Sequence, residues 1–175
     1  MMKTALALAT IAPLALASTA AQAKDMKGRF GIGGQLETLA TGGGDKNAPA
    51  IPGGVSLKYW IADFGIQAML GLGIRGDGDD EGPDEGGTSL GLGLRLLYNF
   101  ARANDTNLYV GAGVRLGVID SKDTNIDLIL GVEHFFTDFF SVAGHFGLGI
   151  ELGEDATNVS LGNVGTWGTS FHFYF

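Results

Sequence analysis

The sequence predicts an all-β fold, a closed, antiparallel, up-and-down transmembrane β-barrel of eight strands. Three observations predict it: long segments of alternating apolar and polar residues, 30 glycines among 175 residues, and an N-terminal segment typical of export. Alternation with period two places successive side chains on opposite faces of a strand. The absence of cysteine excludes disulfides and thiolate chemistry. A formal net charge of −8 makes nucleic acid an unexpected partner, because phosphate binding needs a basic surface.

Residues 1–23 have the layout of a secretory signal peptide. Lys3 supplies the positive charge, residues 5–17 form a mostly apolar run, and the segment ends in Ala21-Gln22-Ala23. The apolar run is too short for a membrane-spanning helix, which needs about 20 residues. We therefore expect cleavage after Ala23, which leaves residues 24–175 as one barrel domain. The alternative is a retained N-terminal helical anchor.

The strands follow in order from the alternation. The segment from Phe64 to Arg75 is the clearest, since its even-numbered residues are apolar and its odd-numbered residues are Gly, Gln, Met and Arg. The same pattern recurs in segments 88–100 and 107–118. The remaining five strands, which alternate less strictly, are predicted at residues 29–38, 55–61, 126–136, 140–152 and 161–175. Most of these segments are longer than the strands of globular proteins, which average about 5 to 6 residues. They suit a bilayer, which a strand crosses in about 9 to 11 residues.

The predicted connections alternate in length. Tight turns are expected at Ala62-Asp63 and Thr137-Asp138, with a moderately short connection at 101–106. The polar loops at 41–52, 76–87, 119–125 and 153–160 are mostly longer. Short turns on one rim and longer loops on the other are typical of outer-membrane barrels.

If the odd-numbered strands start at the rim of the short turns and the even-numbered strands end there, the aromatic residues cluster at this rim. An amphipathic ring suits the boundary between lipid and water, so this rim is expected to carry a girdle. The predicted aromatic girdle comprises Phe30, Tyr59, Trp60, Phe64, Tyr98, Phe100, Phe136, Phe139, Phe140, Phe173 and Phe175. His134 falls on the lipid-facing side by parity. Either it reaches the interface, or a bulge shifts the register there.

The polar face is mostly glycine with a few charges per strand, whereas the apolar face carries almost none. Hydrocarbon requires the apolar face outside, so the polar face should line the lumen. The predicted lumen charges are Arg29, Glu37, Lys58, Arg75, Arg95, Arg115, Asp127, Glu133 and Glu151. One interpretation is a salt-bridge network that plugs a narrow barrel; the other is a gated pore. The inward glycines allow either strong curvature or a water-filled cavity.

Two further patterns have a chemical and a structural interpretation. The loop 76–87 opens with Asp77, Asp79 and Glu81, but it lacks the twelfth-position Glu of a calcium loop. A solvated acidic loop is the preferred interpretation, with divalent-ion bridging to lipopolysaccharide as the alternative. His145 and His172 point inward by parity, and we expect them to be satisfied interior histidines rather than catalytic groups. We expect no cofactor, no metal site and no enzyme activity.

The C-terminus ends on an aromatic motif, with Phe171, Phe173 and Phe175 on one face and Tyr174 beside them. This motif resembles the signal that the barrel assembly machinery reads in bacterial outer-membrane proteins. The chain as a whole resembles the small eight-stranded barrels: the outer-membrane protein A transmembrane domain, outer-membrane proteins W and X, and opacity proteins. The resemblance is architectural, covers nearly all of residues 28–175 and assigns no subfamily.

The resemblance implies a bacterial outer-membrane protein that is exported with a cleaved signal peptide. The expected function is structural or surface-related, with a largely occluded polar lumen. The alternatives are a narrow porin-like channel for small solutes or ions and, third, a lipid A-modifying enzyme. The expected partners are outer-membrane lipid, lipopolysaccharide and the assembly machinery, and the expected state is a monomer.

Overall fold

The computed structural model describes residues 25–37, 53–75, 87–119, 124–152, 157–161 and 167–175. Within these ranges the secondary structure consists of strands and turns, and no helix there is long and apolar enough to cross a membrane. The strands are β1 Phe30–Leu36, β2 Gly54–Ile61, β3 Phe64–Arg75, β4 Gly87–Ala103, β5 Thr106–Ile119, β6 Thr124–Phe135, β7 Phe140–Leu152, β8 Thr157–Leu161 and β9 Gly168–Tyr174.

The strands close into a barrel. Each strand from β1 to β7 pairs antiparallel with the next one, and β9 pairs with both β7 and β1. The segment β8 pairs with Leu148–Leu152 of β7, whereas β9 pairs with Phe140–His145 of the same strand. Together β8 and β9 therefore occupy the eighth position. The predicted closed, antiparallel, eight-stranded barrel is confirmed.

The alternation in the sequence separates the inside of the barrel from the outside. In β2, Ser56, Lys58 and Trp60 are buried, whereas Val55 and Leu57 are exposed. Lys58 is only 2% exposed, but Leu57 is 38% exposed. This arrangement inverts that of a water-soluble protein, whose large apolar side chains go inside. It satisfies the requirement of a bilayer, where a closed ring of strands pairs all backbone groups and presents apolar side chains to lipid.

The short connections match the predicted lengths in part, since residues 136–139, rather than Thr137-Asp138 alone, separate β6 from β7. The turn at Ala62-Asp63 is as predicted, but the connection expected at 101–106 consists of two residues, Asn104 and Asp105, because β4 continues to Ala103. Asn104 has a φ of 47°, and Asn tolerates this left-handed conformation because its side chain can bond locally. The chain therefore reverses without additional residues. A register shift between Asn99 and Ala101 precedes the turn.

The last loop prediction was wrong in part. Residues 157–160 were assigned to the loop 153–160, but they form most of β8 and pair with the end of β7. The polar residues of this segment are typical of a loop. Its place in the sheet depends instead on backbone pairing with β7, which residues of either polarity can form. The predicted loop 41–52, residues 76–86 of the predicted loop 76–87, and the inner parts of 119–125 and 153–160 lie outside the described residues, and Gly87 belongs to β4.

The residues before β1 reach into the barrel. Gly28 N donates a hydrogen bond to Trp60 O at 2.8 Å, and Arg29 N donates to Met26 O at 3.0 Å. Gly28 adopts a φ of 76°, which a residue without Cβ accommodates readily. This tight turn places Met26 among the lumen side chains, where it is fully buried.

Candidate functional site in the barrel lumen

Arg95 organises the largest group of charges in the lumen. Its guanidinium is fully buried, and its Nε donates to Asp127 Oδ2 at 2.6 Å. Its Nη1 donates to Glu37 Oε2 at 2.8 Å, and its Nη2 bonds to the other oxygen of the same carboxylate. This forked geometry uses the planar donors of arginine on Glu37 and leaves Nε for Asp127.

Two further side chains complete this group, which we call the Arg95 cluster: Arg95, Glu37, Asp127, Arg115 and His145. Arg115 lies 3.7 Å from Glu37 Oε1 and 3.6 Å from Asp127 Oδ1. His145 Nε2 lies 3.1 Å from Glu37 Oε2. Two guanidinium groups thus face two carboxylates, so the cluster is balanced when His145 is neutral. A buried charge without such a partner is strongly destabilising.

A second polar group, the Glu133 cluster, surrounds one carboxylate oxygen. Glu133 Oε1 accepts hydrogen bonds from Ser141 Oγ at 2.6 Å and from Tyr174 Oη at 2.9 Å. Lys58 Nζ lies 3.4 Å from the same oxygen and 5.7 Å from the centroid of the Tyr109 ring. The lysine is thereby held between an anion and the face of an aromatic ring.

Amide and hydroxyl side chains extend the Arg95 cluster along the lumen. Gln35 bonds to Glu37, and Gln67 Nε2 donates to Gln35 Oε1 at 2.7 Å. Gln67 Nε2 also donates to Ser56 Oγ at 2.8 Å, and Ser56 Oγ lies 2.9 Å from His172 Nε2. His172 therefore takes part in an interior hydrogen-bond chain.

An apolar cluster fills the lumen towards the short-turn rim. Its members, which we call the lower cluster, are Met26, Trp60, Leu97, Tyr109, Ile129, Phe135, Ala143 and Tyr174. Trp60 Nε1 donates to Tyr174 Oη at 3.3 Å, and the rings of Phe135 and Tyr174 lie 5.6 Å apart. Tyr174 thus connects the lower cluster with Glu133.

The assignment of Trp60 to the girdle was wrong. Trp60 is fully buried in the lower cluster, since it alternates with the outward-facing Tyr59 and Ile61. The girdle was assigned from height along the strands, and height does not distinguish the two faces. Tyr109, Phe135 and Tyr174 lie at the same end of the barrel and also point inward.

The other predicted girdle residues lie on the outer surface. Phe140 is half-buried, and the remaining nine are exposed. The rings of Phe64 and Tyr98 lie 5.0 Å apart, and those of Phe140 and Phe173 lie 5.1 Å apart. His134 also faces outward, with Nδ1 at 2.9 Å from Thr106 Oγ1. The β6–β7 register is unbroken there, which excludes the alternative of a bulge.

Inward glycines make room for large neighbours. A Cβ on Gly65 would lie 2.7 Å from Trp60 Cε3, and one on Gly113 would lie 2.8 Å from Leu94 O and would overlap Arg95. A Cβ on Gly131 would overlap the Tyr109 ring. These distances are shorter than normal carbon contacts, so a side chain cannot fit. At these three positions the absence of a side chain allows Trp60, Arg95 and Tyr109 to pack closely against the strand.

Of the nine predicted lumen charges, six belong to the two polar clusters: Glu37, Lys58, Arg95, Arg115, Asp127 and Glu133. Arg29 lies instead at the rim, where its Nη1 donates to Asp138 O at 2.5 Å. Glu151 is half-buried near the end of β7. The side chain of Arg75 and the acidic residues of loop 76–87 lie outside the described residues.

Several lumen residues were not among the predicted site residues. Ser56, Gln67 and Gln35 fall on the polar face by parity, so their inward position was predictable although their hydrogen bonds were not. Met26 gave no signal, because it precedes the first alternating segment.

The comparisons with known proteins agree with this architecture. The chain matches the family model described as outer membrane protein beta-barrel domain over residues 9–175, nearly its whole length. A search of curated proteins finds no significant match. The family match, the outward apolar face and the closed ring of strands lead to one conclusion: the chain belongs to the outer membrane protein β-barrel domain family and is a protein of the bacterial outer membrane.

Proposed function

We propose that the protein is a structural or surface barrel of the outer membrane whose lumen is closed to solutes. One observation carries the proposal: the Arg95 cluster joins side chains from around the barrel. Glu37 follows β1, Arg95 lies on β4, Arg115 on β5, Asp127 on β6 and His145 on β7. An eight-stranded barrel leaves an interior just wide enough for side chains. A network that crosses this interior leaves little room for a solute.

The lower cluster adds a second barrier in series. Trp60, Tyr109 and Tyr174 are each at most 2% exposed, and Met26 packs with them from the N-terminal side. An ion that crosses this layer would lose its hydration among mostly apolar side chains, and the neighbouring charges, Lys58 and Glu133, already pair with each other. The polar and apolar layers therefore oppose passage for different physical reasons.

Planar-bilayer recording tests this proposal. We expect the purified barrel to insert without producing conductance steps. A variant that removes one side chain from each barrier, Arg95→Ala with Trp60→Ala, should conduct, provided that its heat-dependent mobility on a gel shows a folded barrel. Reproducible conductance from the unaltered protein would contradict a closed lumen.

A narrow channel is the second candidate, and the buried amides of Asn99 and Asn107 favour it. Asn107 is fully buried, and the side-chain oxygen and nitrogen of both residues find no hydrogen-bond partner within the described residues. Buried polar groups without protein partners commonly bind water. A water path along these amides would give the unaltered protein a small conductance that Asn107→Leu abolishes.

We also propose that the protein is not a lipid A-modifying enzyme. The support is the placement of His145 and His172, which are buried in the lumen where a lipid does not reach, whereas the outward-facing His134 contacts Thr106 rather than a serine. His172 contacts Ser56 inside the barrel, rather than a serine on the outer surface. Mass spectrometry of lipid A from cells with and without the protein should show identical acylation, and a difference that depends on His145 or His172 would contradict the proposal.

We propose that the C-terminal residues serve assembly and that the barrel is monomeric. Phe171, Phe173 and Phe175 present three aromatic side chains on the outer face, where assembly machinery can contact them. Tyr174 points inward and bonds to Glu133, so its role is in packing. Outer-membrane lipid and lipopolysaccharide would surround the apolar belt.

A further inference from the structure

The outer surface over β4–β7 and the adjoining β9 carries three neighbouring rows of side chains, which the strand registers place side by side. The central row is Tyr98, Val110, Leu130 and Phe146. One flanking row is Leu96, Ala112, Leu128 and Leu148. The other flanking row is Leu108, Val132, Gly144 and Thr169. Each flanking row contains one residue that is much smaller than its neighbours.

These small residues produce two grooves. The groove over Ala112, which we call the Ala112 groove, has a cavity volume of about 550 Å³. The groove over Gly144, the Gly144 groove, has a cavity volume of about 450 Å³. Leu130 and Phe146 line both grooves and form the ridge between them. A Cβ on Gly144 would meet no atom within 4 Å, so the floor of its groove is open space.

A polar pair lies beyond the short-turn end of the Gly144 groove. His134 is the next outward residue after Val132 on β6, and Thr106 pairs with it across β5. His134 Nδ1 lies 2.9 Å from Thr106 Oγ1. When the threonine hydroxyl donates to Nδ1, the proton of a neutral imidazole is on Nε2. In this tautomer, Nε2 offers a donor on the apolar surface to a neighbouring anionic group.

We propose that these features bind one glycerophospholipid, with an acyl chain in each groove and the phosphate at His134. The surface belongs to the lipid-facing belt of a membrane barrel, so hydrocarbon is the medium that meets it. Two apolar grooves beside one ridge match a lipid with two chains. A second copy of this barrel would present a convex wall, which would bridge the grooves rather than fill them.

The expected selectivity is modest. Bulk lipid is as apolar as the groove walls, so no hydrophobic transfer drives the chains into them. The binding free energy comes from close contact of the acyl chains with Leu130 and Phe146 and from one hydrogen bond to the phosphate. Such a bond favours the bound lipid over bulk lipid by about two- to tenfold.

Trp167 provides an intrinsic probe for this site. Its side chain is 57% exposed and lines the Gly144 groove, whereas Trp60 is buried in the lumen. The experiment measures tryptophan fluorescence of the barrel in vesicles of a galactosyl diacylglycerol, a lipid without phosphate, that contain increasing fractions of chain-brominated phosphatidylethanolamine. We expect the mole fraction of brominated lipid beside Trp167, calculated from the quenching, to exceed the bulk mole fraction by about two- to tenfold. Brominated diacylglycerol, which lacks the phosphate, should show no excess.

Groove-filling variants test the location. Gly144→Leu and Ala112→Leu should each reduce the excess quenching to the bulk value. Ala68→Leu is the matched control, because Ala68 faces outward between Leu57 and Leu94, away from both grooves, and should leave the excess unchanged. Heat-dependent gel mobility identifies folded variants.

Three results would overturn the proposal. Quenching of the unaltered protein that follows the bulk mole fraction would show that the grooves have no preferred lipid. An equal excess in the groove-filling variants would place the lipid elsewhere. A dimer in chemical cross-linking that Ala112→Leu disrupts would show that the occupant is a second copy of the chain.

Discussion

At the scale of single residues, Arg95 shows how a buried charge becomes acceptable in a lumen. Its guanidinium is fully buried, and it meets Glu37 and Asp127 because all three occupy inward positions on different strands. Removing such a charge from water costs several kcal/mol, which a paired carboxylate offsets only with good geometry. The forked contact to Glu37 and the separate bond to Asp127 supply that geometry.

The replacement Glu37→Gln tests the value of this pairing. The amide keeps the shape but removes the charge that faces Arg95, Arg115 and His145, so the cluster retains an uncompensated cation. We expect the free energy of unfolding in urea to fall by about 3 kcal/mol. Asp105→Asn on an exposed turn is the control and should change it by less than about 0.5 kcal/mol. Equal effects of the two substitutions would contradict the role of the cluster.

Two glycines offer a matched test of packing. Gly113→Ala places a methyl group against Leu94 O and the Arg95 side chain, and it should cost about 1 to 3 kcal/mol of unfolding free energy. Gly144→Ala places the same group in open space on the outside, and it should be neutral or slightly stabilising. Urea unfolding of both variants measures the difference, and similar values would mean that the inward glycines are not needed for packing.

At the scale of strands, the alternation of apolar and polar residues predicted which face of each strand points inward. It failed where a residue's position along the barrel axis or its local backbone conformation determines the structure. The inward positions of Lys58, Arg95 and Asp127 follow from parity alone. The partners do not, because shear and register decide which inward residues meet across the lumen. Trp60 was misassigned for a related reason. Its position along β2 places it at the rim, and the girdle was assigned from this position, whereas the alternation of inward and outward residues places it on the inner face.

The eighth strand position was only half predicted. The ladder of β9 was recognisable from its alternating aromatic residues, whereas β8 was hidden by its polar sequence. Among the described residues, β8 has a hydrogen-bonded neighbour in β7, whereas β9 has neighbours on both sides. A strand paired on one side opens at a lower free energy than one paired on both.

Hydrogen exchange followed by mass spectrometry tests this difference. Amides of Thr157–Leu161 should exchange about tenfold faster than those of Gly168–Tyr174, because within the described part of the chain their ladder has one neighbouring strand instead of two. Peptides from β4, which pairs on both sides, provide the reference for full protection. Equal protection of the two segments would show that β8 is held by contacts beyond its pairing with β7.

At the scale of the whole molecule, the barrel reverses the usual distribution of polarity. The exposed surface carries Leu, Ile, Val and Phe side chains, and the interior holds the Arg95 cluster above the lower cluster, with the Glu133 cluster in contact with the lower cluster. The apolar belt suits a bilayer, and the paired charges suit an interior from which lipid is excluded. The closed lumen is the central claim, because it distinguishes a structural barrel from a channel.

Cysteine accessibility tests that claim most directly, since the natural chain contains no cysteine. Single cysteines replace Ser56 in the lumen, Leu57 on the lipid face and Asp63 in a short turn, and a small charged maleimide is added to the barrel in vesicles. We expect the charged maleimide to label position 63 rapidly and not to label position 56 or 57, whereas a membrane-soluble maleimide should label position 57. Labelling of position 56 by the charged reagent at a rate similar to position 63 would show that the lumen is open to water, and it would contradict the account.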